Sequence, residues 1–598
     1  MLALGISGLD RSATFKAEVL GPGLTRERRI AQGFDSAAVL VDENGVVAAS
    51  AQERHDGVKA TGAFPRDAIE GCLRIAGVTM ADIDVVAHGF RYEDSPLWQL
   101  DDNLRGWYSR VYAQDVQRET FTAYHPLRSD QEFLHVKHHL AHAASTYYPS
   151  GFEDALVLVA DGMGESEATS VYTGRGGRLD LVDAHSALNS LGVLYGVVTH
   201  YLGFLINMDE YKVMGLAPYG DRRRYRAEFG EFLRLRPGGK IAVPLLSENK
   251  TPFERETHQG VVRRLEEALG PARRPGDEVE QRHMDIAATL QDSLERALLH
   301  VLREHRERTG LRKLCMAGGV ALNCSANGVV LREGLFDEVF VQPASGDDGS
   351  ALGAALAAVR RRHDLKPARM SMPYWGESFP AADVERALGS LGGGFTRERL
   401  DRADLVRRAV DLIRAGSVVA LFQGAMEFGP RALGNRSILA DPAVPSMRAH
   451  LNAVVKQREE FRPFAPAVPA EDASTYFDIP EGSERTFHHM LFVVPVRRRY
   501  REVLPAVTHV DGSARVQTVE RGQSPLFWEL LRETGDRSGI PVLVNTSFNL
   551  RGQPIVRTPE EAVATFRRST LDALVIGDFL VRRDTAPDGA REVSDAGA

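Results

Sequence analysis

The chain has 598 residues, 43% of them hydrophobic and 26% charged, an ordinary globular composition that excludes a disordered or fibrous protein. At roughly 150 residues per domain the length admits up to four domains, and no run of 18 apolar residues is present to span a membrane. The balance of 73 basic against 81 acidic side chains, net −8, argues against nucleic acid as the main partner.

The opening residues, MLALGISG, lack a basic n-region and a cleavage site, so they predict a first strand at residues 2–7 and not an export signal. A polar excursion fills residues 9–33. Residues 36–53 then place Asn44-Gly45 between two β-rich runs, a strong hairpin signal. The order recurs later: an apolar strand at residues 156–162 ending in an aspartate, then residues 168–182 with Gly176-Gly177 at the turn. Such a repeat predicts two mononucleotide-binding lobes with a ligand between them, against the alternative of two unrelated hairpins. Helical periodicity marks residues 66–77 and 285–305. Residues 221–281, rich in charge, Pro and Gly, read as a surface insertion. Three prolines and a basic run at residues 360–380 mark a domain boundary, giving domains 1–365 and 366–598. The second begins helical and continues with a strand at 417–423 and apolar runs at 491–496, 542–544 and 573–576. The tail from about Asp584 is small and polar and is expected to fray. Three cysteines (Cys72, Cys315, Cys324) cannot form a disulfide framework, which points to a reducing cytoplasm.

Several residue groups could carry chemistry. His138 and His142 lie four apart on a predicted helix and can share a metal, whereas His139 points about 100° away. Asp161 ends an apolar strand, where open α/β sheets bind ligands. Asp347 and Asp348 sit in a glycine loop that opens a helix. This mixed nitrogen and oxygen set suits Fe(II), Mn(II) or Zn(II); helix and turn capping is the structural alternative. Gly318-Gly319 lies between a strand and a helix, where it either lets backbone amides approach a phosphate or makes a tight turn. Further on come Arg431, Arg436, Lys456, Arg458 and Arg462, then His509, Arg515, Asn545, Ser547 and Asn549. Arginine outnumbers lysine 64 to 9, so abundance alone means little. The interleaved Gly, Pro and Phe favour an anion pocket over a solvated basic face.

These motifs include HHLAHAASTYYPS, VADGMGE, DEYKVMGLAPYG, AGGVALNCSANG, MEFGPRALGNRSILADP, KQREEFRPFAPAV, THVDGSARVQTV and PVLVNTSFNLRGQPIV. Nearly end to end, the chain resembles the antibiotic and nodulation-factor O-carbamoyltransferases. The resemblance implies an α/β protein: an N-terminal duplicated actin-like ATPase (ASKHA) domain, similar to the tRNA threonylcarbamoyl transferase, and a C-terminal YrdC-like domain. It implies that carbamoyl phosphate and ATP, with Mg, make carbamoyl adenylate in the C-terminal pocket. The carbamoyl group then passes to a hydroxyl of a secondary metabolite, as in antibiotic biosynthesis. By motif match, His138, His142, Asp161 and Asp347 would hold a divalent metal, Fe(II) ahead of Mn or Zn. Glu165, Lys212, Gly318, Gly319 and Asn323 would bind the adenylate. Arg431, Arg436, Lys456, Arg458, Arg462, His509, Arg515, Asn545 and Ser547 would bind carbamoyl phosphate and ATP. One departure stands out. The family's His-Asp-Ser reads Phe34-Asp35-Ser36 here, leaving Asp35 or His55 to take the acceptor proton beside the retained Lys59. A protein or tRNA acceptor, or a non-catalytic nucleotide-binding paralogue, are the alternatives. No membrane or nucleic-acid partner is expected, and a homodimer is.

Overall fold

The computed structural model describes residues 1–480 and 482–584. The polar tail beyond 584 lies outside the described residues. Ten strands form two sheets with one plan. The first contains β1 (Ala3–Ile6), β2 (Ala37–Asp42), β3 (Gly45–Ala51), β4 (Val85–His88) and β5 (Glu132–His135), ordered β3-β2-β1-β4-β5. The second contains β6 (Asp154–Ala160), β7 (Glu167–Arg175), β8 (Arg178–Ser186), β9 (Lys313–Ala317) and β10 (Glu338–Val341), ordered β8-β7-β6-β9-β10. In each, the first three strands form an antiparallel meander and the last two join in parallel. Order and direction both repeat, so the duplication is architectural: two copies of one α/β lobe, the actin-like plan.

The two hairpins close differently. Gly176 and Gly177 take φ of +55° and +84° between paired Arg175 and Arg178, the left-handed pair that a two-residue turn of this hand requires. In the first hairpin Asp42 pairs with Gly45, so Glu43 and Asn44 form the tip, one residue earlier than the Asn44-Gly45 expectation. The cause is Asp42, whose Oδ1 accepts from the amides of Asn44 (2.7 Å) and Gly45 (3.1 Å) and holds an Asx turn.

Two helices set the active geometry: α1 (His138–Ser150) and α2 (Asp347–Arg362). Both carry small residues on the shared face. A Cβ on Gly353 would lie 1.6 Å from the Ala141 carbonyl oxygen, and one on Gly5 would lie 1.9 Å from that of Ala351. Backbone therefore meets backbone, and the first turns of both helices are held side by side beneath the sheets. Residues 221–281 are not a surface insertion. They form the helices Arg226–Phe232, Pro252–Thr257 and Gln259–Leu269, and Phe229, Phe232, Val261, Leu265 and Leu269 join the core built on β6 and the long helix Gln281–Thr309. Val261, Leu265 and Leu269 make one apolar stripe at four-residue spacing; the charges between them hide it from a composition reading.

Beyond residue 380 the helices Ala381–Gly389 and Arg402–Arg414 lead into an eight-stranded mixed sheet. Its strands are β11 (Phe395–Arg399), β12 (Val419–Phe422), β13 (Arg436–Ala440), β14 (Ala465–Pro469), β15 (Gln517–Val519), β16 (Leu543–Ser547), β17 (Ala573–Ile576) and β18 (Phe579–Arg583). They are ordered β11-β18-β17-β12-β13-β16-β14-β15. The connecting residues 363–380 have no regular element but are tied on both sides. Ala49 of β3 donates to the Trp375 carbonyl (3.0 Å), and the Glu377 carboxylate pairs with both Arg74 and Arg557. No helix among the described residues is long and apolar enough to cross a membrane.

Candidate functional site

The contact between α1 and α2 brings four donors together. His138 Nε2 lies 3.0 Å from His142 Nε2, 3.3 Å from Asp161 Oδ2 and 3.4 Å from Asp347 Oδ1; His142 Nε2 lies 3.6 Å from Asp347 Oδ1. Separations of this size are those of ligands about 2.1 Å from one ion at angles near 90–120°. The supports agree. His138 Nδ1 donates to the Gly89 carbonyl (3.0 Å), so its Nε2 lone pair faces the centre. Gly319 N–H donates to Asp161 Oδ1 (2.9 Å) and turns Oδ2 inward. Phe90 stacks on the His138 ring at 4.1 Å. Burial opposes charge on these groups, yet Asp347 and Asp161 push His138 well above the usual imidazole range. Against the same burial, His138, His142 and His139 hold Asp161 below the usual carboxylate range. Two imidazoles and two carboxylates sharing one point fit a borderline divalent cation, and no thiolate is near to suggest a structural site.

His139 turns away, as its helical position requires, and bonds Ser170 Oγ (2.7 Å). Glu165 is spent on the start of α1, accepting from the amides of His138 and Arg91. Gly318, at φ +89°, is needed for close approach: a Cβ would lie 2.3 Å from the Ala160 carbonyl oxygen. That is the tight-turn reading of the pair, with the Gly319 amide turned to Asp161. Asn323 caps the next helix through the Ala326 amide (3.0 Å) and exchanges two hydrogen bonds with Gln291.

Asp35, in left-handed backbone at φ +58°, faces this cluster from the other lobe. Burial, then Asp348, Glu53 and Asp347, push its carboxyl well above the usual range. His55 is not brought to the cluster. Its Nε2 bonds Ser50 Oγ (2.8 Å), and burial beside Arg557 lowers it to about 4. Lys59 is half-buried, lowered by burial with Glu53, Arg54 and Arg462 as its charged neighbours.

The second centre is a cleft with walls from both halves of the chain: Met214, Tyr219 and Cys324 on one side, Arg448, His509 and Arg515 on the other. Arg462 lies over the Tyr211 ring (4.6 Å), and Arg458 lies over Phe464 (4.4 Å). Lys456 Nζ donates to Asn549 Oδ1 (2.9 Å) and to the carbonyls of Ser547 and Asn549. Burial and mutual repulsion press these cations toward neutrality: Arg431 falls to about 9 by burial beside Arg515, and Lys456 and Arg458 fall well below their ordinary values. Arg431 and Arg515 form no ion pair among the described residues, and each has a buried Nε without a partner. A cluster so short of negative charge is built for an anion. His509 bonds Ser513 Oγ through Nδ1 (3.1 Å), while its buried Nε2 has no partner.

Arg436 is not among these cations. It is fully buried on the Phe422 ring (3.8 Å), and its guanidinium donates to the carbonyls of Gln423, Gly424, Asn435 and Glu377. Asn545 Nδ2 bonds Gln517 Oε1 (2.7 Å), and Ser547 Oγ bonds Asn549 Oδ1 (2.7 Å). The segment Asp209–Tyr219, carried in the sequence by the motif DEYKVMGLAPYG and by Lys212, faces the cleft. Tyr211 supports Arg462, and Lys212 joins Asp209 (3.2 Å) to Glu459 (3.0 Å) across the two halves. Its dense run of charge and aromatics was the available signal.

A family model described as "Carbamoyltransferase N-terminus" matches residues 107–356, and one described as "Carbamoyltransferase C-terminus" matches residues 410–583. Nodulation protein NolNO of Sinorhizobium fredii is 41% identical over 562 residues, covering 92% of this chain and 79% of its own. Nodulation protein NolO of Bradyrhizobium diazoefficiens is 43% identical over 460 residues, covering 75% and 79%. Among solved structures, (R)-2-hydroxyglutaryl-CoA dehydratase component A of Acidaminococcus fermentans covers 60% of this chain and 98% of its own, at 16% identity and a TM-score of 0.31. That likeness is too slight to add to the strand order above.

Proposed function

Because the chain belongs to the carbamoyltransferase family and is a carbamoyltransferase, we propose that it works as a two-centre O-carbamoyltransferase. The cleft, whose cations come from residues 366–598, takes carbamoyl phosphate and ATP and makes carbamoyl adenylate. The cluster of residues 1–365 passes the carbamoyl group to a hydroxyl of a small molecule. The observation that carries this reading is the pairing of a cation cluster, in which Arg431 and Arg515 form no ion pair among the described residues, with a four-donor centre in one chain. The first suits two phosphorylated substrates that repel each other, because Arg431, Lys456, Arg458, Arg462 and Arg515 neutralise both. Water cleaves the phosphorus–oxygen bond of carbamoyl phosphate, releasing inorganic phosphate and carbamate. A carbamate oxygen then attacks the α-phosphorus of ATP and expels pyrophosphate, which gives the otherwise poor carbamoyl electrophile a good leaving group.

At the four-donor centre, a divalent ion held by His138, His142, Asp161 and Asp347 would supply Lewis-acid polarisation of the carbamoyl oxygen. The chain's own residues do the rest. Asp35, raised by burial and by three facing carboxylates, is the base for the acceptor hydroxyl; His55, engaged by Ser50, is not. Attack of the acceptor oxygen on the carbamoyl carbon expels AMP. Wild-type protein given ATP and carbamoyl phosphate should release pyrophosphate. Arg431→Ala should abolish that release, while His138→Ala should keep it and lose only transfer. Failure of both variants at one step would refute the division.

A further inference from the structure

Phe34, which stands where the resemblance leads one to expect an imidazole, carries a guanidinium on its ring: Arg29 Cζ lies 4.8 Å from the centroid. Arg29 comes from the excursion at residues 9–33, and its position is built. Asn207 Nδ2 donates to the carbonyls of Arg29 (2.7 Å) and Ala31 (3.1 Å). Arg29 Nη2 donates to the Ala60 carbonyl (3.3 Å), and Ala60, at φ +50°, is held in turn by the Glu53 carboxylate through its amide (2.9 Å). Arg29 is thus clamped to the turn that presents Lys59. Nothing closes its fork, however. Asp35, Asp209 and Glu210 all act on its charge, yet none forms an ion pair with it among the described residues, and its buried Nε has no partner.

Arg29 and Lys59 therefore flank one turn at Ala60, with Phe34 under the guanidinium, and the next residue, Asp35, reaches the four-donor cluster: its Oδ2 lies 3.6 Å from where a Cβ on Gly346, beside Asp347, would stand. We infer that Arg29, with Lys59, binds the phosphate of a nucleoside monophosphate ester at the transfer centre. This rests on the adenylate reading above. When the acceptor oxygen bonds to the carbamoyl carbon, the carbon–oxygen bond to phosphate breaks and its electron pair moves onto the phosphate. The acceptor proton goes to Asp35. Negative charge grows on the leaving phosphate, and a planar guanidinium fork with open donors is placed to receive it.

The test uses the full chain with Arg431→Ala, which disables the cleft, and AMP as the probe. Calorimetry should show AMP binding that Arg29→Met weakens by roughly tenfold or more, as loss of a charged hydrogen-bonding partner predicts. Arg29→Lys should weaken it less, which separates lost charge from lost folding. Unchanged AMP affinity in Arg29→Met, or no AMP binding in Arg431→Ala alone, overturns the assignment. Pyrophosphate release by the wild type is read in parallel. Its absence would sink the adenylate reading itself, whereas its presence with unmoved AMP affinity would remove only Arg29.

Discussion

Arg431 and Arg436 lie five residues apart in one motif, and the structure assigns them opposite fates. Arg436→Met keeps the aliphatic stem but deletes the head that serves four backbone carbonyls and covers Phe422. A hydrogen bond from a charged donor contributes about 1.5–3 kcal/mol, and each buried carbonyl left unpaired costs about 1–3 kcal/mol. One head group serves all four, so these do not add, and relief of the guanidinium's own desolvation offsets part of the loss. A net of about 3–5 kcal/mol results. At about 2–4 °C per kcal/mol for a unit of this size, the melting temperature should fall by roughly 6–20 °C. Arg431→Ala removes a cation that has no ion pair and is repelled by Arg515, so its melting temperature should stay level or rise slightly. Differential scanning calorimetry of both variants, with carbamoyl phosphate binding measured in each, is the assay. The reasoning is refuted if Arg436→Met melts like the wild type and merely loses binding, or if Arg431→Ala is equally destabilised.

His142→Ala should lose bound divalent metal while keeping its fold, and wild-type metal content after dialysis should decline from pH 8 to pH 5, because protons compete with the metal for His138, which Asp347 and Asp161 raise above the usual imidazole range. Metal content unaffected by either change would contradict the four-donor reading. Gly318→Ala forces a Cβ against the Ala160 carbonyl at positive φ and should cost about 1–3 kcal/mol, visible as a lower denaturation midpoint. Ten histidines, among them His88, His258 and His489, are lowered to about 3 or 4 chiefly by burial. The unfolded chain binds their protons below about 6.5 and the folded chain does not, so stability should be level above that pH and fall as pH drops toward 4. Equal urea midpoints at pH 5 and pH 7.5 would count against this.

Much of the fold was legible because strands buried on both faces leave short apolar runs. The apolar run at residues 573–576 coincides with a strand, and the repeated hairpins announced the duplicated lobe. The convergence of His138, His142, Asp161 and Asp347 was legible too, since His138 and His142 share a helical face and Asp161 and Asp347 end apolar or glycine-marked segments. Tertiary context hid the rest. Nothing local distinguishes Arg436, pointed into backbone carbonyls, from Arg431, left without a counter-charge. Nothing near His55 in sequence shows that Ser50 and Arg557 engage it. Arg29 was concealed in a polar excursion, and the cause of its placement, Asn207, lies far along the chain.

The tied connector at residues 363–380 changes how the halves can be exchanged. Trp375 completes the edge of β3, and Glu377 binds Arg74 on one side and Arg557 on the other. The connector is a seam sewn into both halves and not a tether. A chimaera joined at residue 365 with a relative's C-terminal half would inherit a foreign seam beside a native Ala49 edge and Arg74. Breeding new acceptor or donor preferences by recombination therefore calls for crossover points chosen around this stitch, with its contacts on both flanks carried along.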